Sequence, residues 1–395
     1  HKEYRRQRQM CIRDRVTSDG TSARALSNAY EISGTVTLGH ASDYGVLTWN
    51  GTGTLPADVT LNVNSAVTLG GTVTGAGKLT KTGSGTLTLS GSSTFTGGVT
   101  VASGAVNVGS VSAFGTGTLT MNPGVTVSSD STAARSFSND YQMGGSLTLG
   151  DATKSGTLTL SGLGSMTAST TLNTDSAVVI SGRLSGAYSL TKAGLGSLTL
   201  SGPNTYSGGT IVNTGVTYYA GSDGAFGVGS ISMGAGVISS EGSTAWTFTN
   251  PYTFSAATAT FGDLTRNGQL TFGGVGTLSQ DLTLNALSSV ILSGEVKGGF
   301  GFTKVGAGNL TLSGPNTFTG GVTVSDGTLT VSGGSAVPNS SLVSVGATGT
   351  FKLAADEQIG SLSGVGTVDL GTSRLTLGGS CLLYTSPSPR DQRGS

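Results

Sequence analysis

Cysteine, charge and helical periodicity are all scarce in this chain. Only two cysteines occur in 395 residues, Cys11 and Cys381, both within fifteen residues of an end. A disulfide framework is therefore excluded, and so are zinc sites and Cys/His dyads in the interior. Charged residues make up 10% of the chain and aromatics 6%. The low charge argues against ordinary charge-rich disorder. No apolar run is long enough for a membrane-spanning helix. No stretch of ten or more residues keeps a helical period, because glycine interrupts too often.

What remains is glycine, threonine and valine. The 67 glycines follow no Gly-X-Y register, so collagen is excluded. Threonine and valine fill the short segments between them, as β-branched residues do at half-buried strand positions. Thr86-Leu-Thr-Leu-Ser90, Val99-Thr-Val101 and Val106-Asn-Val108 alternate with period two. This places Leu87, Leu89, Val99, Val101, Val106 and Val108 in one core, with the threonine hydroxyls facing water or a neighbouring coil.

The segments repeat. Lys81-Thr-Gly83-Ser-Gly85-Thr-Leu-Thr-Leu-Ser-Gly91 returns as Lys192-Ala-Gly194-Leu-Gly196-Ser-Leu-Thr-Leu-Ser-Gly202 and as Lys304-Val-Gly306-Ala-Gly308-Asn-Leu-Thr-Leu-Ser-Gly314. Each copy continues to an aromatic and a glycine pair: Phe95 with Gly97 and Gly98, Tyr206 with Gly208 and Gly209, Phe318 with Gly320 and Gly321. The offsets are 111 and 112 residues, and Asn28/Tyr30, Asn139/Tyr141 and Asn250/Tyr252 share the period. A long-range repeat of short strands and turns predicts a stacked, all-β solenoid of roughly 111-residue units. At about 20–25 residues per coil residues 16–380 make roughly 15–18 coils, and at a spacing of ~4.8 Å a rod about 75–85 Å long. Glycine at the breaks is read as the residue of positive-φ turns.

Both ends read differently. Residues 1–15 hold six basic residues, and Met10-Cys-Ile-Arg-Asp-Arg15 and Cys381-Leu-Leu-Tyr-Thr385 can be back-translated into strings that are reverse complements over their shared length. The segments 1–15 and 381–395 are accordingly expected to be adapter-derived. That leaves a β-solenoid fragment over 16–380, with motif copies at 71–109, 182–216 and 294–333. This core holds 17 acidic and 12 basic residues, a net charge of −5, which disfavours nucleic acid as a partner.

Chemistry-bearing candidates are few. His40 has Asp151 and Asp263 as its counterparts, so the position reads as a polar turn. Gly75-Ala-Gly-Lys78 lacks the Ser/Thr and the leading glycine of a phosphate loop. Asp223-Gly224 and Asp326-Gly327 lack the calcium nonapeptide and read as turns. The adjacent pair Asp356-Glu357 points to opposite faces of a strand, unlike a catalytic carboxylate pair. Phe95, Tyr206 and Phe318 read as one core position per unit. Lys81, Lys192 and Lys304 read either as an anion- or polysaccharide-binding ladder or as solvated turn lysines that discourage edge pairing, and the second reading is preferred. No catalytic, metal or cofactor-binding residue is assigned.

The motif Lys81–Gly91 followed by Thr94-Phe-Thr-Gly-Gly-Val-Thr-Val101 resembles the passenger-associated transport repeat, also called the autotransporter-associated β-strand repeat. Lys81–Val101, Lys192–Val212 and Lys304–Val324 match it in full, Thr210-Ile-Val212 standing in the middle copy for Val-Thr-Val. The resemblance implies a right-handed parallel β-helix. It implies a non-enzymatic passenger of a type V secreted protein, exported through an outer-membrane translocator barrel to the surface of a Gram-negative bacterium. An adhesin-like stalk that assists its own export is the leading expectation, with a host or bacterial surface, polysaccharide or a second copy as partner. A self-assembling surface-layer or amyloid-like protein comes next, and a β-helical polysaccharide-active enzyme third.

Overall fold

The computed structural model describes residues 10–12, 15–17, 20–40, 42 and 45–378. Among these are 44 strands and no helix. Every strand pairing is parallel and joins segments about one coil apart in sequence. This is a β-solenoid, as the repeat predicts. The segments 381–395 and 1–9 lie outside the described residues. Met10–Ile12 and Arg15–Val16, in or bordering the segment set apart at the start, form strands paired with Tyr30–Ile32 and Gly34–Leu38.

Two compact units divide the chain, His1–Ile231 and Ser232–Ser395. In the first, one coil carries three short strands, Val59–Val63, Val67–Leu69 and Val73–Gly75. The next coil stacks on it in register: Leu79 lies beside Val59 and Leu87 beside Val67. Leu79 in turn pairs with Val99, and Val99 with Leu119, each exactly one coil of 20 residues on. Some coils outside the motif are longer, as where Tyr141 pairs with Gly164 and Gly145 with Thr170.

Alternation sets what is inside. Val59–Val63 is buried at Val59, Leu61 and Val63 and half-buried at the residues between. Leu87, Leu89, Val99, Val101, Val106 and Val108 are all buried, as the period-two pattern requires. Threonines fall in columns on the outer face, with Thr35, Thr60, Thr80, Thr100 and Thr120 on five successive strands.

The second unit repeats the plan. Thr258–Phe261, Leu282–Ala286, Phe302–Val305 and Val322–Val331 form one ladder, and Trp246–Phe248, Leu270–Phe272, Val290–Leu292 and Asn309–Leu312 another. Its core is richer in rings: Phe272 packs against Phe248 and Phe261 with centroids 5.2 Å apart in each case.

Candidate functional site

The three motif lysines are not solvated turn residues. Lys81, Lys192 and Lys304 are each 0% exposed. The strand Leu79–Thr82 begins before the lysine, so alternation from Leu79 carries Lys81 to an inward position beside Leu61 and Val101. The same phase buries Lys192 in Leu190–Ala193 and Lys304 in Phe302–Val305. An amine with no exposed surface meets no solute, so the binding-ladder reading falls as well.

Each ammonium is met by backbone carbonyls at the turn that follows it. Lys81 Nζ donates to the carbonyls of Thr82 (3.1 Å), Gly83 (2.7 Å) and Ser103 (2.9 Å). Lys304 Nζ donates to Val305 (3.1 Å), Gly306 (2.6 Å) and Asp326 (3.0 Å). Lys192 Nζ donates to Ala193 (3.3 Å) and Gly194 (2.9 Å). Two carbonyls thus come from the lysine's own coil. In the outer copies a third comes from the next coil, 22 residues on. Three donors facing three acceptors leave the charge fully hydrogen-bonded.

Burial pulls all three lysines down to about 8, opposed at Lys192 by Asp175 and at Lys304 by Asp326. The carbonyls favour the protonated form, so the groups stay charged at neutral pH. At Lys81 the fall from 10.5 to about 8 corresponds to roughly 3 kcal/mol of desolvation cost.

Glycine makes room for these crowns. A Cβ on Gly104 would lie 2.6 Å from Lys81 Nζ, and one on Gly327 2.8 Å from Lys304 Nζ. The Asp326-Gly327 pair, read from sequence as a plain turn, is therefore part of a crown. Gly83, the first motif glycine, has φ of 79° and turns the chain so that its carbonyl faces the ammonium. Gly194 and Gly306 do the same.

Positive φ does not account for every motif glycine. A Cβ on Gly91 would sit 2.0 Å from the Gly71 carbonyl oxygen of the preceding coil, and Gly202 and Gly314 repeat this at 2.1 Å. Gly85, Gly196, Gly308, Gly97, Gly208 and Gly320 also approach a neighbouring coil's backbone too closely for a side chain. Gly98 and Gly209 have positive φ. Coil spacing, which sequence reading overlooked, fixes more of these positions than turn geometry.

The aromatics Phe95, Tyr206 and Phe318 are buried, Tyr206 with its hydroxyl 2.6 Å from Thr210 Oγ1. Beside them stands a residue that sequence reading passed over. Asn204 Oδ1 accepts from Leu184 N at 2.7 Å while its Nδ2 donates to the Ala225 carbonyl at 2.8 Å. Asn316 does the same with Val296 N (2.7 Å) and the Ala336 carbonyl (2.6 Å). Each asparagine clasps the coil before and the coil after. The signal was present in Pro203-Asn-Thr-Tyr206 and Pro315-Asn-Thr-Phe318. In the first copy Ser93 stands here and accepts from Val73 N at 3.3 Å.

The remaining candidates are turn and surface chemistry. His40 Nδ1 lies 2.8 Å from Ser42 Oγ; one period on, Asp151 accepts from Thr153 N and Oγ1, and two periods on, Asp263 accepts from Thr265 N and Oγ1. The position is a polar turn. Asp356 is exposed beside Arg374 whereas Glu357 is buried, so the pair does face opposite ways. Among the described residues no group of three or more His, Cys, Asp or Glu is placed to hold a metal ion. A groove of about 350 Å³ in the second unit is lined by Asp281, Thr283, Gly301, Thr303, Gly321 and Thr323. Asp281 there accepts from Gly301 N at 3.0 Å.

Three stretches match the passenger-associated-transport-repeat family: residues 79–108, 190–217 and 302–331. These stretches hold the three crowned lysines. The protein described as adhesin BmaC autotransporter, from Brucella suis biovar 1 (strain 1330), is 32% identical over 167 residues. That similarity covers 42% of this chain and 4% of the relative, so the chain spans a small part of that protein's length. No solved structure matches the chain. The chain carries three copies of the passenger-associated transport repeat, and in each the lysine and the aromatic are buried and glycines lie hard against the neighbouring coil.

Proposed function

We propose that this chain is a non-enzymatic passenger region of a type V secreted protein, an adhesin-like stalk that assists its own export to the surface of a Gram-negative bacterium. The three transport repeats support this most directly. Their build suits it physically. Each coil bonds only to adjacent coils, so a chain emerging by degrees folds coil upon coil, with no distant partner to wait for. The interior has no cysteine, so no disulfide forms ahead of threading in an oxidising compartment. The partner this reading requires is an outer-membrane translocator barrel.

The test is to fuse the chain ahead of a translocator barrel in a Gram-negative host. Surface protease on intact cells should release a folded, resistant fragment, and the cells should gain adhesion to an abiotic or host-cell surface. A fragment retained in the periplasm would refute export competence. Surface display without any gain in adhesion would refute the adhesin role.

A further inference from the structure

The strands that carry the lysines are poorly specified by their own side chains. Leu79-Thr-Lys81 pairs with Val99-Thr-Val101 over three residues only, and Val99-Thr-Val101 with Leu119-Thr-Met121 likewise. All read inward–threonine–inward. A two-residue slip along such a ladder keeps every apolar side chain in the core and every threonine outside, so hydrophobic burial does not oppose it. The turns on either side contain Gly83, Gly98 and Gly104, each at positive φ, where the backbone is least restricted.

The crown does oppose it. Lys81 is the inward-facing residue in this ladder that needs acceptors, and its third acceptor is the Ser103 carbonyl of the following coil. That carbonyl is free to turn toward the ammonium because Ser103 lies just past the end of the strand Val99–Val101. The place beside Nζ is also left open by Gly104. A shift of two residues would bring Ala102 or Val106 to the place of Gly104, and either would put a Cβ where the ammonium lies. The second unit has the same parts: Lys304, the Asp326 carbonyl and Gly327.

We propose that Lys81 and Lys304 are register keys: each fixes the pairing of its strand with the following coil against a two-residue slip. A buried charge is a costly way to add stability and an effective way to exclude alternatives, because a misplaced one is left without acceptors. The three-carbonyl crowns of Lys81 and Lys304 hold their coils to one register. Lys192 bonds two carbonyls of its own coil and is not assigned this role.

Cysteine pairs read the register directly, in the full chain with Cys11→Ser and Cys381→Ser. Thr80 and Thr100 face each other on adjacent strands, about 4.8 Å apart, within reach of a disulfide. Thr80 and Ala102 lie on the same face but on a diagonal of roughly 8 Å, beyond reach. With Lys81 present, Thr80→Cys/Thr100→Cys should cross-link and Thr80→Cys/Ala102→Cys should not. Adding Lys81→Met, which keeps the volume and removes the charge, should raise the Thr80→Cys/Ala102→Cys cross-link roughly tenfold while the solenoid stays folded. The same comparison applies to Lys304→Met, with Thr303→Cys paired to Thr323→Cys or to Ser325→Cys. A methionine chain that still yields the native cross-link alone would overturn the proposal. So would a methionine chain that loses its protease-resistant core in both units, since the lysine would then hold the fold together instead of choosing among its registers.

Discussion

A lysine placed at Val99 should unfold its coil, whereas one at Thr100 should be tolerated. Val99 is fully buried between Leu79 and Leu119. No carbonyl crown is built there, and neither strand neighbour offers an acceptor. An uncompensated lysine in such a place loses its proton, at a shift of about 3–5 pKa units or roughly 4–7 kcal/mol. Forcing the longer chain into a packed core adds about 1–3 kcal/mol. The total rivals the whole stability of an ordinary domain, about 5–15 kcal/mol. Thr100 sits one residue on, in the outer column between Thr80 and Thr120, and a lysine there carries its ammonium into water. Its effect should stay within about 0.5 kcal/mol. Limited proteolysis mapped by mass spectrometry reads the difference: Val99→Lys should open new cuts around residues 90–110, and Thr100→Lys should not. Equal loss of protection in the two variants would show that the inside/outside register is misread.

Other perturbations separate the remaining claims. Gly314→Ala puts a Cβ 2.1 Å from the Gly294 carbonyl and should cost about 1–3 kcal/mol in urea unfolding, while Gly242→Ala in the same unit, with open space, should be neutral or slightly stabilising. Glu357 is buried with Oε2 unbonded and Oε1 accepting from Val337 N at 2.9 Å. Desolvation raises its carboxyl above the usual range. A raised folded-state value means that stability falls as pH climbs from the unfolded value through the folded one. Glu357→Gln should therefore raise the melting temperature at pH 7, and the gain should vanish below about pH 4. Asp151 is held low chiefly by the Thr153 hydroxyl, so its contribution is present above the unfolded value and lost as pH falls through the folded one. Asp151→Ala should cost about 0.5–2 kcal/mol at pH 7, with the difference from the unaltered chain shrinking in acid. Lys81→Met relieves about 3 kcal/mol of desolvation but strips three carbonyls of their donor at about 1–3 kcal/mol each, so it should be mildly destabilising in urea unfolding. A stabilised variant would refute the crown's hydrogen bonds.

Much of the stack was legible in order. Alternation placed Leu87, Leu89, Val99 and Val101 inside because a strand's side chains have a period of two wherever the strand lies. The 111-residue repeat announced a solenoid because identical segments adopt identical local structure. The lysine defeated this logic. Lys81 follows Leu79-Thr in perfect alternation, yet its charge argued for a turn in water, and the carbonyl that makes its burial possible belongs to Ser103, one coil away. The recurring Pro-Asn-Thr marks Asn204, but its role was hidden, since both of its backbone partners lie about 20 residues off, on the coils before and after.

The sequence alone thus determined period, strand phase and, among the described residues, the absence of helix, properties set by neighbours along the chain. Tertiary structure decided which polar groups enter the core and why Gly91, Gly202 and Gly314 carry no side chain. Those depend on the few ångströms between successive coils, where a carbonyl from one turn meets an ammonium, an amide or bare space from the next.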